Sequence, residues 1–300
     1  MGLHILQFGR TGQIGLELLA RGALRGHRMT ALGRDTVDLS DPDQVSRAVA
    51  GVREIDLVIN GAAYTAVDQA ESEPDLARRI NAGSVAALAE ACTRRGVPVI
   101  HLSTDYVFDG TKPAPYVETD ATHPLNVYGR TKLEGEIALR AAQPKHLILR
   151  TSWVYSAFGA NFVKTVLRLG AERDELRVVD DQIGAPTAAG EIAGACLALA
   201  EAVAATPNPQ WGTYHLAASG ETSWYGFAQA IFDIARPWAN LKARLAPIPS
   251  TESPTAARRP ATSRRDCGEL ARAFGLTLRP WREPLVEVLA ELKSAKARAS

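Results

Sequence analysis

The opening stretch MGLHILQFGRTGQIG constrains the fold more than any other part of the chain. Residues 3–9, LHILQFG, are a short apolar run that ends in glycine, and QIGLELLARGALRG then turns helical with Ile14, Leu18 and Leu19 on one side. Between them Gly9, Gly12 and Gly15 stand three apart. Gly9 allows a tight turn, Gly12 lets backbone approach a pyrophosphate, and Gly15 lets the helix pack close on a sheet. The helix start then offers amide donors and a favourable dipole to phosphates. A strand, a glycine loop and a helix in that order predict a dinucleotide-binding unit.

The same rhythm continues. Strands are expected at 28–33, 56–63, 97–108 and 146–156. Helices are expected at 40–51, with Ser40 as N-cap, at 75–96 as one long element, and from Tyr128 onward. The strands are nearly continuous apolar runs, the mark of a parallel sheet covered on both faces. The predicted class is α/β, a Rossmann-type doubly wound parallel sheet with a smaller C-terminal α/β substrate-binding domain. The expected division is 1–155 for the dinucleotide domain and 156–300 mainly for the substrate domain, with segments within about 175–220 open to returning to the first. Residues 247–266, rich in Pro, Ser and Arg, read as a polar linker.

Bulk properties exclude some partners. With 34 basic and 33 acidic residues the net charge is +1, and both signs are mixed along the chain. That gives no reason to expect nucleic acid or an anionic membrane. Cys92, Cys196 and Cys267 are sparse and odd in number, which suits buried thiols in a reducing cytosol rather than a disulfide framework. No apolar run approaches the ~20 residues that span a bilayer. The N-terminus lacks a signal-peptide pattern, and Leu6 stands where myristoylation needs Ser or Thr. A soluble, cytoplasmic protein is the expectation.

The second strand ends in ALGRD, where many NAD-binding folds place an acid for the ribose 2′-hydroxyl. Here Gly33 and Arg34 stand there, and an arginine suits a 2′-phosphate. NADPH is therefore expected, with Asp35 and Asp38 close enough to keep NADH open. The fourth strand ends in STD. Tyr128 and Lys132, four apart, share one face of a helix start. Thr104 could hold a carbonyl oxygen and Tyr128 could protonate it. An unperturbed phenol titrates near ~10, and an ammonium one turn away would lower that. Lys132 is placed for this, and its remaining donors could hold the nicotinamide ribose.

GRTGQIG, STDYVFDG, NVYGRTKLEGE, RTSWVYS and DDQIGAPT occur in that order. Together they resemble the dTDP-4-dehydrorhamnose reductases, extended short-chain dehydrogenases/reductases. The resemblance runs from the N-terminus to near the end and includes ARRP. It implies NAD(P)H-dependent reduction of a 4-keto nucleotide sugar for cell-surface polysaccharides. Tyr128 is then the proton donor, Lys132 its partner and Thr104 the hydroxyl that aligns the carbonyl. Gly12, Gln13 and Ile14 would contact the dinucleotide, as would Asp38, Leu39, Ala63, Tyr64 and Thr65. Asp105 and Trp153 match substrate positions. Some relatives bind Mg²⁺ at a dimer interface, which would place Glu17, Glu191 and Glu291 as ligands and leave a homodimer open. Arg258 and Arg259 are candidates to clamp the substrate diphosphate. Two alternatives stay open: an epimerase or dehydratase on another nucleotide sugar, and a binding subunit like the regulatory subunit of methionine adenosyltransferase.

Overall fold

The computed structural model describes residues 2–299. In chain order the strands are β1 (His4–Phe8), β2 (Arg28–Leu32), β3 (Leu57–Asn60), β4 (Val99–Thr104), β5 (His146–Thr151), β6 (Val154–Tyr155), β7 (Glu175–Val179), β8 (Ile183–Gly184), β9 (Thr187–Ala188), β10 (Gly212–His215), β11 (Thr222–Ser223) and β12 (Arg244–Ile248). The α-helices are α1 (Gln13–Leu24), α2 (Pro42–Gly51), α3 (Val67–Ala70), α4 (Pro74–Arg78), α5 (Ser84–Arg95), α6 (Val127–Ala142), α7 (Phe162–Glu172), α8 (Ala189–Ala205), α9 (Trp224–Ala239), α10 (Gly268–Phe274) and α11 (Arg282–Ala299).

Six strands form one sheet in the order β10-β5-β4-β3-β1-β2, and every pairing in it is parallel. Successive residues of β5, Leu147, Ile148 and Leu149, have no exposed surface. They alternate between two cores: Leu147 and Leu149 pack with Leu18, Ile192 and Leu199 of α1 and α8, and Ile148 with Val45, Val49 and Leu88 of α2 and α5. This double burial explains the continuous apolar runs, each side chain contributing roughly 1.5–3 kcal/mol. The order reverses beside β1, which is flanked by β2 and β3. At such a switch point the carboxyl ends of the strands open a crevice.

A third core gathers Tyr155, Phe227, Phe232, Trp281 and Leu285 from β6, α9 and the C-terminal helix region, around the β7–β12 pair. Between β8 and α8 the chain turns back, so that α8 and β10 join the sheet layer.

Four local expectations change. Asp41, not Ser40, caps α2, accepting from Asp43 N–H at 2.9 Å and Gln44 N–H at 3.3 Å. Pro42 at the first helical position fixes φ for that start, and Ser40 instead donates to Asp38. The long helix at 75–96 is interrupted by a π-turn over Arg79–Gly83. There Asn81 turns inward, accepting from Tyr64 N–H and donating to Thr131. The fifth strand breaks at Trp153, whose φ of 49° leaves the β region. Finally, 247–266 is no free linker. Ala257, Thr262 and Ser263 are buried, and bridges tie Thr262 to Ile183 and Arg265 to Tyr116.

Candidate active site

A cleft of about 1190 Å³ opens at the carboxyl ends of the strands. One end is made of backbone. Gly9 has φ +96°, and a side chain there would strike the main chain of Gly61 and Ala62. A Cβ on Gly15 would lie 1.8 Å from Gly9 O, so only glycine lets α1 sit this close to the turn. Gly15 therefore supports the loop and does not line the cleft, whereas Gly9, Gly12, Gln13 and Ile14 do. A Cβ on Gly12 would meet nothing within 4 Å. Gly12 caps α1 without a side-chain hydrogen bond, and no acid lies in the first turn. The amides of that turn are left for an anion, which fits a dinucleotide pyrophosphate.

At the end of β2, Arg34 is exposed and lines the cleft. So does Arg10, a residue that sequence reasoning missed although it follows Gly9 directly. Its Nε lies 3.5 Å from where a Gly33 side chain would begin, and its guanidinium pairs with Asp35 at 2.5 Å. Asp38 and Leu39 also border the cleft. Two bonds from Ser40, backbone and hydroxyl, hold the Asp38 carboxyl below its ordinary range. Gln13 is present but committed: its side-chain oxygen accepts from Ser156 and Asn161. Ala63, Tyr64 and Thr65 form the wall beyond β3. The Tyr64 hydroxyl donates to Glu73 at 2.6 Å, a bond that pushes the phenol up to about 12.

The other end is made of side chains from several elements. Thr104 closes β4, where its hydroxyl accepts from Tyr106 N–H at 3.2 Å and donates to Asp105 at 3.0 Å. Asn126 starts α6 by accepting from Gly129 N–H at 2.8 Å. A Cβ on Gly129 would lie 2.1 Å from Tyr106 O, so this glycine lets α6 press against the turn after Thr104. Tyr128 thereby reaches Thr104. Burial pushes the Tyr128 phenol up to about 12; the hydrogen bond with Thr104 opposes this, and the Asp105 charge adds to it. Lys132 is 2% exposed and donates to Leu102 O at 2.7 Å. Burial brings its ammonium down to about 8 against the pull of Glu136. The groups acting on the Tyr128 phenol here are thus Thr104 and Asp105, and the expected lowering by Lys132 is absent because its amino group turns to β4.

Beneath this end lie charged groups that sequence reasoning did not find, Arg265 beside Asp105 and the Glu136–Arg150 pair. Asp105 is 4% exposed and accepts from the Ser263 hydroxyl. The fully buried Arg265 side chain stands 3.9 Å from it and donates to Ser152. Burial raises the Asp105 carboxyl, while Arg265, Ser263 and Thr104 pull it back. Glu136, also buried, accepts from Ser103 at 2.6 Å and from Arg150 at 2.9 and 2.7 Å. Nothing in the spacing of ARRPATSRR distinguishes Arg265 from its neighbours.

Trp153 lines the cleft and stacks on Trp224, with centroids 3.6 Å apart and planes at 9°. Trp224 was another residue missed, arriving from a distant helix. Arg258 and Arg259 are not on the cleft wall. Arg259 is held by Asp68 at 2.7 and 3.1 Å, and Arg258 is exposed. Two of the three expected magnesium ligands are likewise engaged. Glu17 pairs with Arg21 at 3.1 Å and Glu191 with Arg279 at 2.8 Å, while Glu291 is exposed. Among the described residues no group of three or more His, Cys, Asp or Glu could hold a metal ion. Among the described residues, too, no helix is long and apolar enough to cross a membrane.

A family model described as the RmlD substrate binding domain matches residues 3–294. A dTDP-4-dehydrorhamnose reductase of Escherichia coli K12 is 47% identical, covering 98% of this chain and 100% of its own length. One of Sinorhizobium fredii is 48% identical over 92% and 93%. The crystal structure of a Bacillus anthracis dTDP-4-dehydrorhamnose reductase in complex with NADP superposes with a TM-score of 0.89, at 35% identity, covering 97% of this chain and 100% of that one. A UDP-glucose 4-epimerase of Stenotrophomonas maltophila, 18% identical with a TM-score of 0.83, shares the fold alone. By sequence along nearly its whole length, and by a cleft that joins a glycine loop to Thr104, Tyr128 and Lys132, the chain belongs to the dTDP-4-dehydrorhamnose reductase family.

Proposed function

We propose that the chain reduces the 4-keto group of dTDP-4-dehydro-β-L-rhamnose to give dTDP-L-rhamnose, with NADPH as reductant, in the cytoplasm. The product would serve as a sugar donor for cell-surface polysaccharides such as O-antigen. One observation carries this reading: Thr104, Tyr128 and Lys132 line the same cleft as the glycine loop.

When bound, the dinucleotide supplies hydride to the carbonyl carbon. The remaining work falls to the chain. With its phenol pushed to about 12, Tyr128 stays protonated at neutral pH and can give that proton to the substrate oxygen as charge develops. The Thr104 hydroxyl can turn from Asp105 to donate to the same oxygen. Lys132, one turn along α6 on the same cleft, is the nearby cation that can act once Tyr128 has become a phenolate. Asp105, held by Ser263 and Arg265, and Trp153, held by Trp224, offer a polar and a flat apolar surface to the sugar nucleotide.

Arg10 and Arg34 support a 2′-phosphate and hence NADPH, since Asp35 is already neutralised by Arg10. Assembly as a homodimer is part of the proposal and is read by sedimentation. The direct test is NADPH oxidation with dTDP-4-dehydrorhamnose. Turnover is expected, and no turnover with folded protein would point to another sugar nucleotide or to a binding role.

A further inference from the structure

Lys132 touches a group that the reduction itself does not use. Its Nζ stands 3.3 Å from His101 Nε2. His101 is fully buried, and its other nitrogen, Nδ1, lies 3.1 Å from Asn60 Nδ2. Asn60 and His101 are register partners on β3 and β4, so the contact is built into the sheet.

Which nitrogen of His101 carries the proton follows from Asn60. The Asn60 side-chain oxygen accepts from Ala62 N–H at 3.2 Å. The amide therefore turns its NH₂ group to His101, and an NH₂ group only donates. Nδ1 must then be the nitrogen with the lone pair, and the ring proton sits on Nε2, facing Lys132. Burial first, then the charge of Lys132, hold the imidazole well below its ordinary pKa, so the ring is neutral. An ammonium has donors and no acceptor. Against Nε2–H it meets donor with donor, whereas a neutral amine could accept that proton.

We propose that Asn60 and His101 are a positioning pair for Lys132, presenting an N–H to Nζ that opposes its charged form beside β4. The inference rests on the reading that Lys132 serves the reduction.

The other groups around Lys132 are accounted for. Glu136, one turn further along α6, favours the ammonium, and Arg150 of β5 and Arg140 hold that carboxylate ionised. His146 of β5, kept below its ordinary value by burial, bears on His101. Tyr128, one turn back, is neutral. Burial outweighs Glu136 and leaves Lys132 at about 8. A reduction that needs this ammonium should therefore fall as pH rises through that value. Removing the opposed N–H raises the lysine pKa and moves this alkaline limb to higher pH.

Two measurements test the pair. Nitrogen-15 NMR of histidine-labelled full-length protein, with His101 assigned by its absence in His101→Leu, should show the proton on Nε2. A proton on Nδ1 would overturn the inference. This readout needs no turnover, so it stands apart from failure of the reductase reading. The second is the pH profile of kcat/KM. Asn60→Asp would supply a carboxylate that accepts from Nδ1–H, so that the ring proton moves to Nδ1 and Nε2 becomes an acceptor. His101→Leu removes the N–H without adding charge. Both should move the alkaline limb up by about one pH unit or more. A purely structural role would lower the rate or the stability and leave the limb in place, which would also overturn the proposal. If neither variant folds, the wild-type tautomer decides.

Discussion

The two ends of the cleft are built by different means. The phosphate end is a turn, Gly9 to Gly15, made by seven consecutive residues and dependent on missing side chains. The chemical end draws Thr104 from β4, Tyr128 and Lys132 from α6, Trp224 from α9 and Arg265 from the segment before α10, and depends on buried charges. Backbone chemistry of the first kind is local and tolerant of its surroundings. Chemistry of the second kind is cooperative, because each buried charge is stable only while its partners are in place.

That contrast can be broken by substitution. The largest effect is expected for Tyr128→Phe, which removes the proton and leaves the glycine turn untouched: a loss of about 10²–10⁴-fold in kcat, with NADPH affinity by fluorescence unchanged. Equal rates for the two proteins would remove Tyr128 as the acid. Next comes Arg265→Met. Leaving Asp105 buried without its cation should cost roughly 3–5 kcal/mol in denaturant unfolding. Arg265→Met with Asp105→Asn should recover part of that, and strictly additive losses would argue against coupling between them.

Two glycines sharpen the other side. Gly15→Ala drives a Cβ into Gly9 O, and should cost about 1–3 kcal/mol of stability. Gly12→Ala meets no protein atom within 4 Å, so Tm should hold while KM for NADPH rises. A drop in Tm at Gly12 as large as at Gly15 would show that both are structural. The smallest effect is expected at the exposed rim. Arg34→Ala should weaken NADPH relative to NADH by about 1 kcal/mol, a few-fold in KM. An unchanged ratio would shift the 2′-phosphate contact to Arg10.

Much of the first end was legible in the sequence. The turn, the parallel order of its strands and the cleft position of Gly12, Arg34 and Asp38 follow from glycine spacing and apolar runs, signals that need only neighbours in the chain. At the second end the motif residues Thr104, Tyr128 and Lys132 were legible as types and spacing, but their state was not. The expectation that Lys132 lowers the Tyr128 phenol considered two residues on one helix. It omitted burial, Asp105 and the Leu102 carbonyl, which come from another strand. Arg258 and Arg259 looked like a diphosphate clamp because two adjacent arginines carry no mark of their partners, and Asp68 takes up Arg259. Glu17 and Glu191 carry no mark of Arg21 and Arg279 either.

The sequence by itself determined the class of the fold, the place of the glycine turn and the grouping of Thr104, Tyr128 and Lys132 as candidates, because periodicity, glycine and spacing along one helix act over a few residues. The tertiary structure alone decided which charges are buried together, which arginine of a cluster reaches the site, and which nitrogen of His101 faces Lys132. Those depend on desolvation and on hydrogen-bond partners 30 to 160 residues away, and nothing short-range in the chain encodes them.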